Sequence, residues 1–214
     1  RSTLFPYTTL FRSVTVFNVL TGFKFIGEKI KEWEESGKYD FIFGYEESYG
    51  YLRGTHARDK DAVVASMLTA EMVCYYQSIG KGLYQRLQEL FKEYGYYKEA
   101  VTSIAYKGVT AMSDMAEAMK KMRAKTITDI GGEKVLFTSD FLARKNFYPG
   151  GATDAITLPA TDAIKYNLKD EQFVCIRPSG TEPKLKVYVL CFSNDEKSAE
   201  EKATRLLDSI KKEL

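Results

Sequence analysis

The sequence has few of the residues and segments that disulfide frameworks, metal sites and membrane spans require. It contains three cysteines and one histidine among 214 residues. Cys74, Cys175 and Cys191 are odd in number, widely spaced and set among apolar neighbours, so we predict buried thiols in a reducing compartment. No apolar run reaches the ~18–20 residues that span a bilayer, and no signal peptide is evident. We therefore expect a cytoplasmic protein with no metal ligands in this chain.

The sequence also lacks an excess of either charge sign. It has 31 basic and 29 acidic residues, which give a net charge of +2. This balance provides no basic surface for nucleic acid or for a membrane. The 15 tyrosines are scattered and do not alternate with a basic stripe, so base stacking is not indicated. A hydrophobic content of 44% is ordinary for a globular protein of one large domain or two modest ones.

The first 13 residues differ in pattern from the rest of the chain. The segment RSTLFPYTTLFRS repeats Thr-Leu-Phe and has neither helical nor strand periodicity. It resembles a translated sequencing-adapter sequence. We therefore exclude residues 1–13 from the fold prediction as a non-native leader, and a natural N-terminal arm is the alternative.

From residue 14 the pattern predicts an α/β segment. A β-branched strand at 14–19, a helix at 23–35 capped by Thr21 and an apolar strand at 39–45 form a strand–helix–strand unit. Such a unit is typical of a parallel sheet with a crossover helix. Helices are predicted next, at 62–79 and 81–94.

The pattern changes after Gly95, which is expected to end the second of these helices. Short strand-like segments with two helices then indicate a small α+β domain. We therefore predict a domain boundary between residues 96 and 97. The predicted strands are 101–106, 134–138, 155–158, 163–166, 172–176 and 184–192, and the predicted helices are 112–124 and 196–213.

The most informative motif is the loop Arg-Pro-Ser-Gly-Thr-Glu-Pro-Lys at 177–184, which joins two apolar segments. Two prolines stiffen its ends, and Gly180 permits a backbone conformation that other residues resist. Ser179, Gly180 and Thr181 can then point consecutive N–H groups and two hydroxyls at one anion. Arg177 adds a planar fork that matches two phosphate oxygens. These residues predict a phosphate site, and an ordinary polar hairpin turn is the alternative.

A second motif, Gly-Tyr-Glu-Glu-Ser-Tyr-Gly at 44–50, follows a predicted strand. In parallel α/β sheets such positions carry ligand-binding loops. In an extended segment Glu46 and Ser48 point to one side and Glu47 points to the other. A carboxylate and a hydroxyl on one side can hold neighbouring sugar hydroxyls, whereas the adjacent acids are poorly placed to share a metal. A solvated acidic turn is the alternative.

Two further motifs stand at predicted helix starts. In His-Ala-Arg-Asp-Lys-Asp at 56–61, Asp59 is the expected N-cap. Lys60 would then lie in the first turn, where the helix dipole lowers the pKa of a cation and suits it to proton transfer. His56 has no second histidine with which to bind a metal. Thr-Gly-Phe-Lys at 21–24 precedes the first helix, and for both motifs a plain helix start is the alternative.

In order and spacing, these motifs resemble the late motifs of the α-D-phosphohexomutase superfamily, which includes phosphoglucomutases and phosphomannomutases. The resemblance extends from about residue 14 to the C-terminus. Tyr45, with the Tyr-Gly-Tyr that follows at 49–51, is most similar to the phosphoglucomutase/phosphopentomutase branch. The matching segments are TGFK at 21–24, YEESYG at 45–50, HARDKD at 56–61 and RPSGTEPK at 177–184.

The resemblance implies a four-domain enzyme, an intramolecular phosphotransferase of the isomerase class. Its reaction interconverts a sugar 1-phosphate and a 6- (or 5-) phosphate through a sugar bisphosphate. Residues 14–96 would be the later part of the third, α/β domain. Residues 97–214 would be the fourth domain, an α+β domain like the TATA-box-binding protein.

Roles for individual residues are also implied by the resemblance. Lys60 and His56 would lie near the reacting groups. The residues implied to bind the substrate are Glu46, Ser48, Lys24 and Arg58, and those implied to hold the phosphate that is not transferred are Arg177, Ser179, Gly180, Thr181 and Lys184.

Two motifs of the superfamily do not occur in this sequence. One is the Ser-His-Asn loop whose phosphoserine donates the phosphoryl group, and the other is the three-aspartate loop that binds Mg²⁺. The resemblance therefore implies a C-terminal fragment, inactive alone, whose parent binds Mg²⁺ and the sugar bisphosphate together with its N-terminal domains. The alternative is a non-catalytic module that binds a phosphosugar.

Overall fold

The structure is a computed structural model that describes residues 14–46 and 49–214. The described residues divide into two compact units between Leu90 and Phe91, within a helix. The leader predicted at 1–13 lies outside the described residues, and the predicted boundary between 96 and 97 stays a prediction. Among the described helices, none combines the length and apolarity needed to cross a membrane.

The first unit combines helices with a short β-hairpin. Strands β1 and β2 pair antiparallel, with Phe43 opposite Arg53 and Glu46 opposite Gly50. Helix α1 packs Phe23 and Ile30 against Leu52 of the hairpin, and these three side chains form a small buried core. The elements are α1 (Phe23–Ser36), β1 (Phe43–Glu46), β2 (Gly50–Arg53), α2 (Ala62–Ser78) and α3 (Leu83–Tyr94), whose last residues belong to the second unit.

Helix α1 follows the predicted range but not the predicted cap. Its apolar residues recur every three or four positions, which places Phe23 and Ile30 on one buried face. The residue before the helix is Gly22, at φ 122°, and no side chain caps α1. The prediction that Thr21 caps this helix is therefore wrong, because a glycine backbone makes the turn instead.

Residues 14–20 were expected to begin with a strand, and the structure differs. They form no strand. Phe17 instead packs against Trp33 of α1, with ring centroids 4.7 Å apart, and against Tyr39 at 4.9 Å. A strand requires a hydrogen-bonded neighbour, and no described residue pairs with this segment. Every strand pair in the described part of the chain is antiparallel, so the expected parallel pairing is not formed there.

Helix α2 is apolar on all sides yet buries none of its residues. Val63 is 80% exposed, and Met67 and Tyr75 are also exposed. Cys74 lies on the same helix and is exposed, so the prediction of three buried thiols is wrong for this residue. Cys191 is buried, as predicted, and the pKa of the half-buried Cys175 is raised by burial to about 11.

The second unit is built on a seven-stranded antiparallel sheet with the order β3-β11-β10-β9-β6-β7-β8. Its longest ladder joins β3 to β11, from Tyr96 opposite Ser193 to Ala105 opposite Lys184. The strands are β3 (Tyr96–Ala105), β4 (Asp129–Ile130), β5 (Glu133–Lys134), β6 (Phe137–Asp140), β7 (Lys145–Phe147), β8 (Thr153–Ala155), β9 (Ile164–Asn167), β10 (Phe173–Pro178) and β11 (Lys184–Ser193), and the helices are α4 (Ala111–Ala124) and α5 (Glu196–Glu213).

Helices α4 and α5 cover one face of this sheet. Strands β10 and β11 alternate buried and less buried residues, as expected for strands with one covered face. The α+β prediction is thus confirmed, and α5 spans the predicted 196–213. The main core residues are Met115, Met119 and Met122 from α4, Leu206 and Ile210 from α5, and Val174, Ile176, Val187 and Val189 from the sheet.

A close approach at Gly95 gives a test of this packing. Gly95 has φ 94°, and a Cβ there would lie 1.9 Å from Cε2 of Phe192. Gly108 has φ 93°, and a Cβ there would meet no atom within 4 Å. Both alanine substitutions should cost about 1–2 kcal/mol from the left-handed backbone. We expect Gly95→Ala to lower the free energy of unfolding by a further ~1–3 kcal/mol through overpacking.

Urea unfolding followed by far-ultraviolet circular dichroism measures both variants, and Gly108→Ala serves as the matched control. Equal losses in the two variants would contradict the steric role of Phe192.

Candidate substrate-binding site

Lys60 and Glu46 form the centre of a charged cluster in the first unit. Glu46 ends β1, and its side chain is only 13% exposed. The Nζ atom of Lys60 lies 3.8 Å from Oε1 of Glu46 and 2.9 Å from Oδ1 of Asp59. It also lies 5.6 Å from the ring centroid of Phe23, in a cation–π arrangement. The motifs at 21–24, 45–50 and 56–61 therefore meet at this ammonium group.

The protonation of Lys60 differs from the sequence prediction. The hydrogen bond to Asp59 raises the pKa of Lys60, and Glu46 adds to this effect, while burial opposes it. The same hydrogen bond lowers the pKa of Asp59. The N-cap of α2 is Asp61 rather than Asp59, so Lys60 precedes the first turn of the helix. The predicted lowering is wrong because Lys60 lies outside the helix and is held by carboxylates, so Lys60 is a cation at neutral pH.

Asp61 joins three parts of the site. Its Oδ1 accepts hydrogen bonds from the backbone N–H groups of Val63, at 2.8 Å, and Val64, at 3.0 Å. Its Oδ2 lies 2.7 Å from Nε2 of His56. Its own N–H donates to the carbonyl of Tyr51 in β2 at 2.8 Å. Sequence reasoning assigned no role to Asp61, although its place directly before an apolar helical run is a recognisable N-cap signal.

The turn between β1 and β2 brings the backbone close to these side chains. A Cβ at Gly50 would lie 2.5 Å from Cδ of Lys60 and 2.8 Å from Oε1 of Glu46. Tyr49 is 87% exposed and has φ 65°, a left-handed conformation that is costly for an aromatic residue. Ser48, predicted to bind sugar hydroxyls, lies outside the described residues. Gly50 belongs to the sequence motif, but only the fold shows that a side chain at this position would collide with Lys60 and Glu46.

Arg58 and Lys24 have other neighbours. The guanidinium of Arg58 donates to the carbonyl of Thr55 at 2.6 Å and pairs with Glu34 of α1. Lys24 lies with its Nζ 4.9 Å from the ring centroid of Phe25. In the described part of the chain, neither residue makes a hydrogen bond or an ion pair with Glu46 or Lys60. The structure thus separates these two predicted substrate-binding residues from the cluster.

The predicted phosphate loop connects β10 to β11 in the second unit. The N–H of Ser179 donates to the carbonyl of Lys184 at 2.8 Å, and the N–H of Lys184 donates to the carbonyl of Glu182 at 2.7 Å. The Nζ of Lys184 lies 3.0 Å from Oε1 of Glu182. The carbonyl of Pro183 accepts a hydrogen bond from Tyr106, just beyond the end of β3. These contacts close the loop and attach it to the sheet.

The tip of the loop is less specialised than the sequence predicts. Gly180 has a φ outside the left-handed region, and a Cβ there would meet nothing within 4 Å. The expected need for glycine is therefore not seen. The N–H of Ser179 is used within the loop, and that of Thr181 lies 3.5 Å from Oγ of Ser179. The side chain of Arg177 makes no hydrogen bond or ion pair with another described residue, so its guanidinium is available to an anion.

A ligand set for a metal is not found in the described ranges, 14–46 and 49–214. No group of three or more His, Cys, Asp or Glu side chains there could hold an ion. Glu46, Asp59 and Asp61 are instead engaged by Lys60, His56 and the start of α2. The described residues therefore do not fit the Mg²⁺ that the resemblance implies for the parent.

Comparison with known families covers both units. A family model described as "Phosphoglucomutase/phosphomannomutase, alpha/beta/alpha domain III" matches residues 10–94. A second, "Phosphoglucomutase/phosphomannomutase, C-terminal domain", matches residues 109–208. The chain belongs to the phosphoglucomutase/phosphomannomutase family. This membership confirms the predicted α/β domain III followed by the C-terminal domain.

Individual relatives agree with the phosphoglucomutase branch. The phosphoglucomutase of Staphylococcus haemolyticus (strain JCSC1435) is 37% identical over 177 residues, which are 82% of this chain and 32% of the relative. A phosphoglucomutase of Staphylococcus epidermidis (strain ATCC 12228) is 34% identical over 180 residues, or 84% of this chain and 32% of the relative. The chain therefore spans about a third of the length of these relatives.

A solved structure shares the fold. The open form of the exocytosis-sensitive phosphoprotein pp63/parafusin, a phosphoglucomutase from Paramecium, has a TM-score of 0.60 to this chain at 17% identity. The match covers 96% of this chain and 34% of the parafusin chain. At this identity the likeness concerns the fold alone.

The contact between Gly50 and Lys60 yields a second test. We expect Gly50→Ala to displace the Lys60 and Glu46 side chains and to lower the free energy of unfolding by about 1–3 kcal/mol. Gly82→Ala is the control, because nothing lies within 4 Å of a Cβ there and its φ is not left-handed. The control should change stability by no more than about 0.5 kcal/mol.

Urea unfolding followed by the fluorescence of Trp33, the single tryptophan, reports on this unit. If Gly50→Ala is as stable as Gly82→Ala, the close approach does not constrain the turn.

Proposed function

We propose that the protein from which this chain comes is a phosphoglucomutase-like phosphosugar mutase. Its reaction moves a phosphoryl group between the hydroxyl at C1 and the hydroxyl at C6 (or C5) of one sugar, through a sugar bisphosphate. The observation that carries this proposal is the unpaired guanidinium of Arg177 in the β10–β11 loop. An unpaired arginine beside two loop hydroxyls matches the oxygens of a phosphate monoester.

The second unit would hold the phosphate that is not transferred. Arg177 supplies two parallel N–H donors, and the hydroxyls of Ser179 and Thr181 add donors on the same loop. Gly180 contributes an N–H without a side chain. Lys184 is paired with Glu182 at 3.0 Å, so its charge is shared between that carboxylate and an incoming anion.

The first unit would bind the sugar hydroxyls. The carboxylate of Glu46 accepts hydrogen bonds from hydroxyls, and Ser48 is proposed to assist. Lys60 is a cation, held by Asp59 and Glu46, and can donate to a sugar or phosphoryl oxygen. Phosphoryl transfer depends on positioning and on neutralising charge, and these residues would supply part of the positioning.

Lys24 and Arg58 would contribute less directly. Arg58 already pairs with Glu34 and with the carbonyl of Thr55, so binding a substrate would require these contacts to break. We assign it mainly to holding the 56–61 segment against α1. The ammonium of Lys24 lies beside the ring of Phe25, so Lys24 would place a positive charge near the start of α1.

The remaining chemistry is assigned to the rest of the parent enzyme. We propose that its other domains contribute the phosphoryl-carrying serine and the ligands of Mg²⁺, which would neutralise charge on the transferred group. The chain alone would bind a phosphosugar without converting it. The cytoplasm, where sugar phosphates are metabolised, is the proposed location.

Replacing Arg177 tests the phosphate role. We expect Arg177→Ala to weaken binding of glucose 6-phosphate about 10- to 100-fold, because a charge-assisted hydrogen-bonded pair is lost. Arg177→Lys should recover part of this loss, since it restores the charge but not the planar fork. Isothermal titration calorimetry on the 214-residue chain and kcat/KM of the full-length parent measure the effect.

Lys197→Ala is the matched control, because it removes one positive charge from an exposed position on α5. Unaltered binding in Arg177→Ala would remove the basis of the proposal. A full-length parent that binds glucose 6-phosphate but does not interconvert sugar phosphates would instead support the non-catalytic binding module.

A further inference from the structure

The two oxygens of the Asp61 carboxylate have separate partners. Oδ1 accepts from the N–H groups of Val63 and Val64 at the start of α2, at 2.8 and 3.0 Å. Oδ2 lies 2.7 Å from Nε2 of His56. A helix cap alone would need only the first oxygen. The second contact therefore concerns the histidine, which is the only one in the chain.

The chemistry of this contact determines which nitrogen carries the proton. An ionised carboxylate can only accept hydrogen bonds, so Nε2 must be the donor. The hydrogen bond from His56 and those from the Val64 and Val63 N–H groups lower the pKa of Asp61, so the carboxylate is ionised at neutral pH. When the imidazole is neutral, its proton is on Nε2 and the lone pair is on Nδ1.

Nδ1 of His56 makes no hydrogen bond with another described residue. The His56 side chain is 55% exposed, and a Cβ at Gly54 would lie 3.6 Å from Nδ1. Because residue 54 is a glycine, at φ 82°, no side chain covers this nitrogen from that position.

The neighbouring charged groups have different partners. Arg58 pairs with Glu34, and Lys60 pairs with Asp59 and Glu46. Lys60 is a cation and can only donate hydrogen bonds. The 56–61 segment therefore presents the ammonium of Lys60 as a donor and, in the neutral form of His56, Nδ1 as an acceptor.

We propose that Asp61 is a positioning residue that fixes His56 as the Nε2–H tautomer, with Nδ1 as a hydrogen-bond acceptor for a sugar hydroxyl. The assignment of the hydroxyl rests on the proposed function, whereas the tautomer does not. In this arrangement the hydroxyl donates to Nδ1, and Asp61 stabilises the imidazole from its other side. The same carboxylate caps the start of α2. The backbone N–H of Asp61 donates to the carbonyl of Tyr51, and this bond fixes the position of the imidazole relative to β2.

The tautomer can be measured directly, because His56 gives the only histidine signals. Two-bond ¹H–¹⁵N correlation spectra of the 214-residue chain at pH 8 should show a protonated Nε2 and an unprotonated Nδ1. In Asp61→Asn, the amide oxygen keeps the helix cap and its NH₂ group faces the imidazole. We therefore expect the dominant tautomer to change to Nδ1–H.

Asp59→Asn is the control, because it removes the neighbouring carboxylate that pairs with Lys60, and it should keep the Nε2–H tautomer. Unchanged far-ultraviolet circular dichroism in both variants confirms that α2 is intact. A wild-type Nδ1–H tautomer, or an unchanged tautomer in Asp61→Asn, would overturn the inference.

Titration with glucose 6-phosphate separates this inference from the proposed function. Hydrogen bonding to a sugar hydroxyl should move the ¹⁵N resonance of Nδ1 in the wild-type chain and not in Asp61→Asn. If the tautomers are as expected but glucose 6-phosphate moves no resonance, the positioning by Asp61 stands and the phosphosugar assignment fails.

Discussion

The polar side of the first unit depends on the carboxylate of Asp61. One oxygen closes the first turn of α2, the other holds His56, and the backbone N–H joins the same residue to Tyr51 in β2. Lys60 immediately precedes Asp61 in the sequence, so its ammonium lies near Glu46. Asp61 therefore fixes the positions of the helix start, the hairpin and the charged cluster relative to one another. Gly50 must remain without a side chain, because a Cβ there would lie 2.5 Å from Cδ of Lys60.

In the second unit, the longest ladder of the sheet determines the position of the 177–184 loop. Strand β11 pairs with β10 on one side and with β3 along its whole length on the other. Its interior residues pack against α4 and α5, so both ends of the loop start from a rigid base. The tip forms few internal hydrogen bonds. A loop with fixed ends and free donors can keep Arg177 ready for an anion without prior rearrangement.

Local features of the fold could be predicted from the sequence, whereas contacts between segments that are distant in the sequence could not. The helices at α1 and α5 follow from apolar spacing, and the loop at 177–184 from its prolines, glycine and arginine. The strand expected at 14–19 is absent because pairing depends on a neighbour that propensity does not reveal. The predicted direction of the Lys60 pKa shift is wrong because the sequence pattern placed Lys60 inside the helix, whereas the structure places it before the helix, bonded to Asp59 and near Glu46.

The charges around Lys60 have a consequence for how the two polar regions respond to ionic strength. Residues 43–61 carry four acidic and three basic side chains, a formal net charge of −1, while the 177–184 loop carries two cations and one acid. Attraction between the loop and a phosphate dianion is screened by salt within a Debye length of about 8 Å at physiological ionic strength. Hydrogen bonds from neutral hydroxyls to Glu46 are much less sensitive to salt. Under the proposed function, raising the salt concentration therefore weakens binding of the phosphate while leaving binding of the sugar hydroxyls nearly unchanged.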